Sequence, residues 1–267
     1  MQITFIGGGN MAGAIIAGLA QQGGHNIRVV DHNVEKRVHL QNTYGAEPLV
    51  DVPEMFGSED IVVLAVKPQQ LKALCLSLAP HLGGALVVSI AAGIRCEALS
   101  RWLSTSRVVR AMPNTPAMVG KGVSGLFASK ILSLADRDAA QVILQAVGTV
   151  VWVPTEQGLD DITCISGSGP AYVFYFIESL MQAAEEVGFS EVDARNLALS
   201  TFDGAIELAR NSALPVSSLR ANVTSKGGTT ERALARFEQE GVKAAIVAGA
   251  MDCRARSIEM GQQLSQD

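Results

Sequence analysis

Short apolar runs alternate with helical periodicity through the first half of the chain. Residues 3–6, 27–30, 61–66, 85–90 and 108–112 are β-rich runs. Between them, residues 11–22, 35–44, 71–78 and 97–103 space their apolar positions as helices do. Strands alternating with helices predict a parallel sheet covered on both faces. Residues 123–127, a helix over 132–147 and a run over 150–153 read as the last elements of that sheet. Beyond Pro154 no β-run remains. Residues 171–187, 191–210, 216–221, 229–240 and 242–264 all read as helix, separated by Gly188, Pro215, Gly227-Gly228 and Gly241. The expected division is an α/β domain over 1–154 and an all-helical domain over 155–267.

One helix changes the picture. Residues 171–187 are apolar around nearly the whole circumference, whereas a helix on the surface of a lone domain shows a single stripe. A short helical segment has little interior in which to bury such a helix. The chain's high apolar content, 48% with only 18% charged residues, is therefore read as part of an obligate dimer interface.

Charge and composition exclude other classes. The chain carries a net charge of -5, which argues against general nucleic-acid binding. Residues 1–154 hold 12 Lys+Arg against 10 Asp+Glu, and residues 155–267 hold 9 against 16. The uncharged stretch 162–177 is broken by Gly-Ser-Gly-Pro, so no membrane span is expected. The N-terminus has no basic region ahead of its apolar run, so no signal peptide is expected. Cys75, Cys96, Cys164 and Cys253 are far apart and read as reduced thiols of a cytoplasmic protein. His25, His32, His39 and His81 do not have metal-ligand spacing, so no metal site is expected.

The candidate chemistry begins at Gly7-Gly8-Gly9-Asn10-Met11-Ala12, a G-x-G-x-x-A pattern between a strand and a helix. Gly7 allows the tight turn, and Gly9 lets backbone approach a pyrophosphate. Ala12 permits close helix–strand packing, and the helix N-terminus holds the anion. This context makes the first domain a Rossmann dinucleotide-binding domain. Asp31 ends the next strand, where a carboxylate usually accepts from the adenosine ribose hydroxyls. His32, Lys36 and Arg37 lie close enough in sequence to meet a 2′-phosphate instead, so NADH and NADPH both stay open.

Three further strand ends carry short motifs. Ala65-Val66-Lys67-Pro68 leaves the sheet where ligands of open α/β folds bind. Ser89-Ile90-Ala91-Ala92-Gly93 is small enough for a flat ring to lie against backbone. Met112-Pro113-Asn114-Thr115-Pro116 makes a rigid turn whose amide is a candidate ligand group. In the second half, Thr224-Ser225-Lys226-Gly227-Gly228-Thr229-Thr230-Glu231 opens a helix with glycines and hydroxyls, a second potential anion seat.

Taken together, Gly-Gly-Gly-Asn-Met-Ala, Ala-Val-Lys-Pro, Ser-Ile-Ala-Ala-Gly, Arg-Ala-Met-Pro-Asn-Thr-Pro, Ser-Gly-Ser-Gly-Pro-Ala-Tyr and Val-Thr-Ser-Lys-Gly-Gly-Thr-Thr resemble the pyrroline-5-carboxylate reductase family along essentially the whole chain. The resemblance implies a Rossmann domain followed by a helical dimerisation domain, in a homodimer or a larger homo-oligomer. It also implies reduction of 1-pyrroline-5-carboxylate to L-proline by NADPH or NADH. In that family the site lies between the dinucleotide domain of one chain and helices at the dimer interface. Gly7, Gly9, Asn10 and Met11 would hold the pyrophosphate. Ala65, Val66, Lys67 and Pro68, with Ala91 and Ala92, would border the nicotinamide. Gly228, Thr229 and Thr230 would bind the substrate carboxylate, with the Thr230 hydroxyl near the ring nitrogen. Asn222 and Val223 would line the same pocket, Asn222 on its cofactor side. Two alternatives stay open at this point: a 3-hydroxyacid or 6-phosphogluconate-type dehydrogenase, and a non-catalytic dinucleotide-binding protein. The first wants a lysine on the long interdomain helix, and residues 171–187 contain none. The second would need no anion seat at Gly228–Thr230.

Overall fold

The computed structural model describes residues 1–265. Strand β1 (Gln2–Ile6) leads into α1 (Asn10–Gln22), β2 (Asn26–Val30), α2 (Val34–Tyr44) and β3 (Glu47–Leu49). There follow β4 (Asp60–Leu64), α3 (Pro68–Leu78), β5 (Leu86–Ser89), α4 (Cys96–Leu103) and β6 (Val108–Met112). The sheet is completed by β7 (Gly122–Ala128), α5 (Leu134–Gln145) and β8 (Gly148–Trp152). The eight strands lie in the order β3-β2-β1-β4-β5-β6-β7-β8.

The two-residue period of the strands divides the core between the two faces. In β4, Ile61 and Val63 join a cluster with Ile15 and Ile16 of α1 and Leu40 of α2. Their neighbours Val62 and Leu64 join another with Leu71 and Cys75 of α3 and Leu99 and Trp102 of α4. An unbroken apolar strand is thus apolar because both its faces are covered. Polar side chains start the helices: Asn33 accepts from the Lys36 N–H at the head of α2, and Ser133 from the Asp136 N–H at the head of α5.

The expected all-parallel sheet needs one correction. Strand β7 runs antiparallel to β6, while β8 runs parallel to β7. The link from β6 to β7 holds only a 3₁₀ turn, Thr115–Val119, and no crossover helix, so the chain doubles back. Helix α5 supplies the crossover for the next pair. Strand β3 was absent from the sequence pattern: it is three residues long, lies at the sheet edge and contains Pro48.

The remaining chain is helical: α6 (Gly158–Ile162), one π turn (Thr163–Gly167), α7 (Gly169–Glu186), α8 (Glu191–Asn211), α9 (Val216–Asn222), α10 (Thr229–Gln239) and α11 (Val242–Leu264). The chain forms two compact units, which do not divide after residue 154 as the pattern suggested. The first comprises Met1–Ser168 together with the chain from Cys253 onward, and the second Gly169–Asp252. Polar contacts account for this. Glu156 accepts from Arg110 and from the Cys96 N–H, the latter at 2.6 Å. Asp160 accepts from Arg95 at 2.9 Å and from Ser257 at 2.7 Å. The Arg95 N–H donates to the Ser265 hydroxyl at 3.0 Å. Residues 155–168 and the end of α11 therefore belong with the sheet.

The second unit has almost no interior. Among its described residues only Ala194, Ala198 and Ala250 are buried. Phe174 and Tyr175 of α7 are 59% and 68% exposed. The helix expected from the sequence is present; it packs one side on α8, and in the single chain much of its apolar surface is exposed.

Candidate active site

Strands β2 and β4 pair with opposite edges of β1, so the strand order reverses between β1 and β4. Ligands of open α/β sheets bind beyond the strand ends at such a switch point. There the chain turns sharply. The Gly7 N–H donates to the Val30 carbonyl at 2.8 Å, and the Ala65 N–H to the Ile6 carbonyl at 2.9 Å. Gly7 has φ +102°, and a Cβ on it would lie 2.7 Å from the Ala65 carbonyl oxygen. Only glycine fits. Gly9 differs: it is extended, and a Cβ there would meet nothing within 4 Å. Helix α1 starts after Gly9 with no side-chain cap and no acidic residue in its first turn. Its first N–H groups and positive dipole end thus form an open anion seat at Asn10 and Met11. A dinucleotide pyrophosphate fits this cradle.

Asp31 stands directly after β2 and beneath the glycine turn. Its Oδ2 accepts from the Gly8 N–H at 2.7 Å and its Oδ1 from the Asn33 N–H at 2.8 Å. Lys36 Nζ lies 3.9 Å from Oδ2, and Arg37 donates to the Asp31 carbonyl. Burial pushes the Asp31 carboxyl up, but the Asn33 and Gly8 amides and the Lys36 and His32 charges outweigh it. The carboxyl is held below its ordinary value.

The next strand ends border the same rim. Ala65 and Val66 are half-buried and Lys67 is exposed, with Pro68 opening α3 at a position where its missing N–H costs nothing. The Ile90 N–H donates to the Leu64 carbonyl at 3.1 Å, and the Ala91 N–H to the buried Ser89 hydroxyl at 3.4 Å. Ala91 is buried and Ala92 half-buried. The structure therefore gathers Gly7–Met11, Asp31, Ala65–Pro68 and Ala91–Ala92 at the carboxyl ends of four neighbouring strands.

Asn114 has another task than the one its motif suggested. Its Oδ1 accepts from the Val123 N–H at 2.8 Å, and its Nδ2 donates to the Ser166 carbonyl at 2.9 Å. The amide is buried and fastens main chain to main chain, so it is not free for a ligand.

Sequence reasoning missed the polar network beside Ala92. A cavity of about 270 Å³ is bordered there by Arg110, Met112, Asp160, Cys253 and Ser257. Arg110 is buried and paired with Glu156. The available signal was a lone arginine inside the apolar run Val-Val-Arg-Ala-Met, because a buried charge must have a partner. Burial, with the nearby Glu156 carboxylate, pushes the Cys96 thiol up to about 12, so it stays protonated.

In the second unit, Gly227 has φ +74° and Gly228 caps α10 without a side-chain acceptor. Glu231 reaches back to accept from the Gly227 N–H at 2.6 Å, and the Gly228 N–H donates to the Ser225 carbonyl at 3.0 Å. Glu231 thereby shapes the turn, a part its sequence position did not disclose. The first-turn N–H groups of α10 and the hydroxyls of Thr229 and Thr230 stand at this start. Among the described residues neither hydroxyl has a hydrogen-bond partner. Asn222 and Val223 are exposed at the end of α9 and just beyond it.

A glycine turn at the switch point of a doubly wound sheet, with an acid after β2, defines a Rossmann-type dinucleotide-binding protein with an added helical unit. Comparison with known proteins narrows this class. Residues 156–260 match the family model "Pyrroline-5-carboxylate reductase dimerisation", and residues 2–93 match "NADP oxidoreductase coenzyme F420-dependent". A pyrroline-5-carboxylate reductase of Pseudomonas aeruginosa is 41% identical, over 99% of this chain and 98% of that protein. The structure of such a reductase from Coxiella burnetii superposes with a TM-score of 0.89 at 36% identity, covering 97% of each chain. That of the Plasmodium falciparum enzyme, solved with NADP bound, gives 0.83 at 29% identity, covering 98% of each. The chain belongs to the pyrroline-5-carboxylate reductase family.

Proposed function

We propose that this protein reduces 1-pyrroline-5-carboxylate to L-proline with NADH or NADPH, the last step of proline biosynthesis. The observation that carries this reading is the second glycine-capped helix start, Gly228–Thr230, which lies within the segment matching the reductase family model. A dinucleotide seat alone would serve many enzymes. A second seat for a small anion, flanked by the hydroxyls of Thr229 and Thr230, suits a substrate with a carboxylate.

The bound nicotinamide supplies the hydride. The chain's own residues do the rest by holding and orienting. Gly7, Gly9, Asn10 and Met11 hold the pyrophosphate, and Asp31 faces the adenosine ribose. Ala65, Val66, Lys67 and Pro68, with Ala91, Ala92 and Asn222, border the nicotinamide. Val223, Gly228, Thr229 and Thr230 hold the substrate, N–H groups on its carboxylate and the Thr230 hydroxyl toward the ring nitrogen. A protonated cyclic imine is already a strong electrophile, so positioning does most of the work, roughly 7–11 kcal/mol at best. Helix α7 carries no lysine, so a base for alcohol oxidation has no place there.

Gly169–Asp252 acts in this reading as the dimerisation and substrate-binding unit. The exposed apolar faces of α7 and α8 support a homodimer. The biosynthetic role goes with a cytoplasmic location. The test is loss of 340 nm absorbance when NADH or NADPH is mixed with the protein and pyrroline-5-carboxylate. If no cyclic imino acid causes either cofactor to be consumed, the reading fails.

A further inference from the structure

We propose that Asp31 makes the dinucleotide site selective for NADH over NADPH. The proposal rests on residues 7–11 being a dinucleotide seat, and it adds the choice between the two cofactors. The geometry around the carboxylate carries it. An ionised carboxylate offers about four lone-pair sites. Two are taken, one on each oxygen, by the Gly8 and Asn33 amides. The remaining acceptor on each oxygen suits a pair of hydroxyl donors, which is what an unmodified ribose presents. A 2′-phosphate brings about -1.5 to -2 charges and no such donors.

Two of the cationic side chains nearby are turned toward Asp31. Lys36 faces Oδ2 of Asp31 itself, and Arg37 donates to the Asp31 carbonyl. His32 is exposed beside them. Asp31 cannot readily swing aside either. The Gly8 N–H holds its Oδ2 and the Asn33 N–H its Oδ1, and its side chain is only 15% exposed. The same two amides favour the ionised form, so the carboxylate keeps its charge in the neutral range. Moving it to admit a phosphate would break the bond that holds Gly8. Asp31 is thus both a support for the pyrophosphate turn and the residue that discriminates at the ribose.

The experiment is a direct binding titration, without imine substrate, following intrinsic fluorescence of the full chain with NADH and with NADPH. The expected result is a Kd for NADH at least tenfold below that for NADPH. In D31S the ratio should fall at least tenfold, chiefly through tighter NADPH binding. The variant D31N keeps an acceptor for one amide and the size of the side chain. It supplies the same ratio if D31S does not fold. Equal or tighter binding of NADPH by the unmodified protein would overturn the proposal, as would a ratio unmoved in the folded variant. Because no substrate is present, these outcomes are independent of whether the imine is reduced.

Discussion

The α-carbon of Gly7 lies so close to the Ala65 carbonyl oxygen that a methyl group on it would stand 2.7 Å from that oxygen. This contact joins β1 to β4 where the strand order reverses. Gly7→Ala meets both this collision and a φ of +102°. The backbone strain alone costs about 1–3 kcal/mol. Gly9→Ala meets neither. Gly7→Ala should therefore lower the melting temperature and abolish dinucleotide binding together, whereas Gly9→Ala should melt near the unmodified protein and bind more weakly. Thermal melts beside NADH titrations check this. Equal melting of the two variants would show that the Ala65 contact does not constrain the turn.

Thr230 should matter to turnover and not to cofactor affinity. Removing a hydroxyl that orients a charged substrate costs about 1.5–3 kcal/mol. Thr230→Ala should accordingly lose roughly 10- to 100-fold in kcat/KM for the imine, with an unchanged Kd for NADH. Steady-state kinetics and a binding titration separate the two quantities. Full activity in T230A would remove this residue from the site.

Asn114 should behave in the opposite manner. Its buried amide satisfies the Val123 N–H and the Ser166 carbonyl. Asn114→Ala leaves both groups without a partner, at about 1–3 kcal/mol each. Denaturant unfolding should show a clear loss of stability, while the NADH affinity of the folded variant stays as it was. Reduced affinity at unchanged stability would return Asn114 to the ligand.

Arg107 and Asp136 set an acid limit on stability. Arg107 bonds the Asp136 carboxylate through Nε at 3.1 Å and Nη2 at 2.6 Å. It also donates to the carbonyls of Ser58 and Gly84. The Arg107 hydrogen bond, working against burial, holds the Asp136 carboxyl below its ordinary value. A lowered carboxyl stabilises the fold above the unfolded value of about 3.9. That contribution is lost as pH falls below this point toward the folded value. Asp136→Asn should destabilise the protein at pH 7 by about 1.5–3 kcal/mol and show a flatter dependence of melting temperature on pH below 4. Parallel pH profiles of the two proteins settle the sign.

The sequence made the parallel half of the sheet legible because each strand there is an unbroken apolar run followed by its own helix. The direction of β7 was not legible, since it depends on what the link from Met112 to Gly122 lacks, and no residue of β7 itself records it. The pyrophosphate turn could be read because its parts are consecutive: Gly7, Gly9 and the start of α1. Asp31 was also in view, but its bond to Gly8 spans 23 residues and was not. The Arg110–Glu156–Cys96 network was hidden for the same reason, its bonds spanning 46 and 60 residues. Local chemistry leaves a motif, whereas partners brought together by folding leave only an unexplained charge.

The Ser168 hydroxyl and the Cys253 thiol, where the chain leaves the sheet-bearing unit and returns to it, stand 3.2 Å apart. The intervening stretch, Gly169–Asp252, is in effect an insert whose two ends meet at one doorway. Cutting the chain after Pro154 would strip away Glu156, Asp160 and the end of α11. Excising the insert and splicing Ser168 to Cys253 through a short glycine bridge would keep them. Such a spliced protein should stand alone as a nucleotide-binding module, without the uncovered apolar surface of α7 and α8.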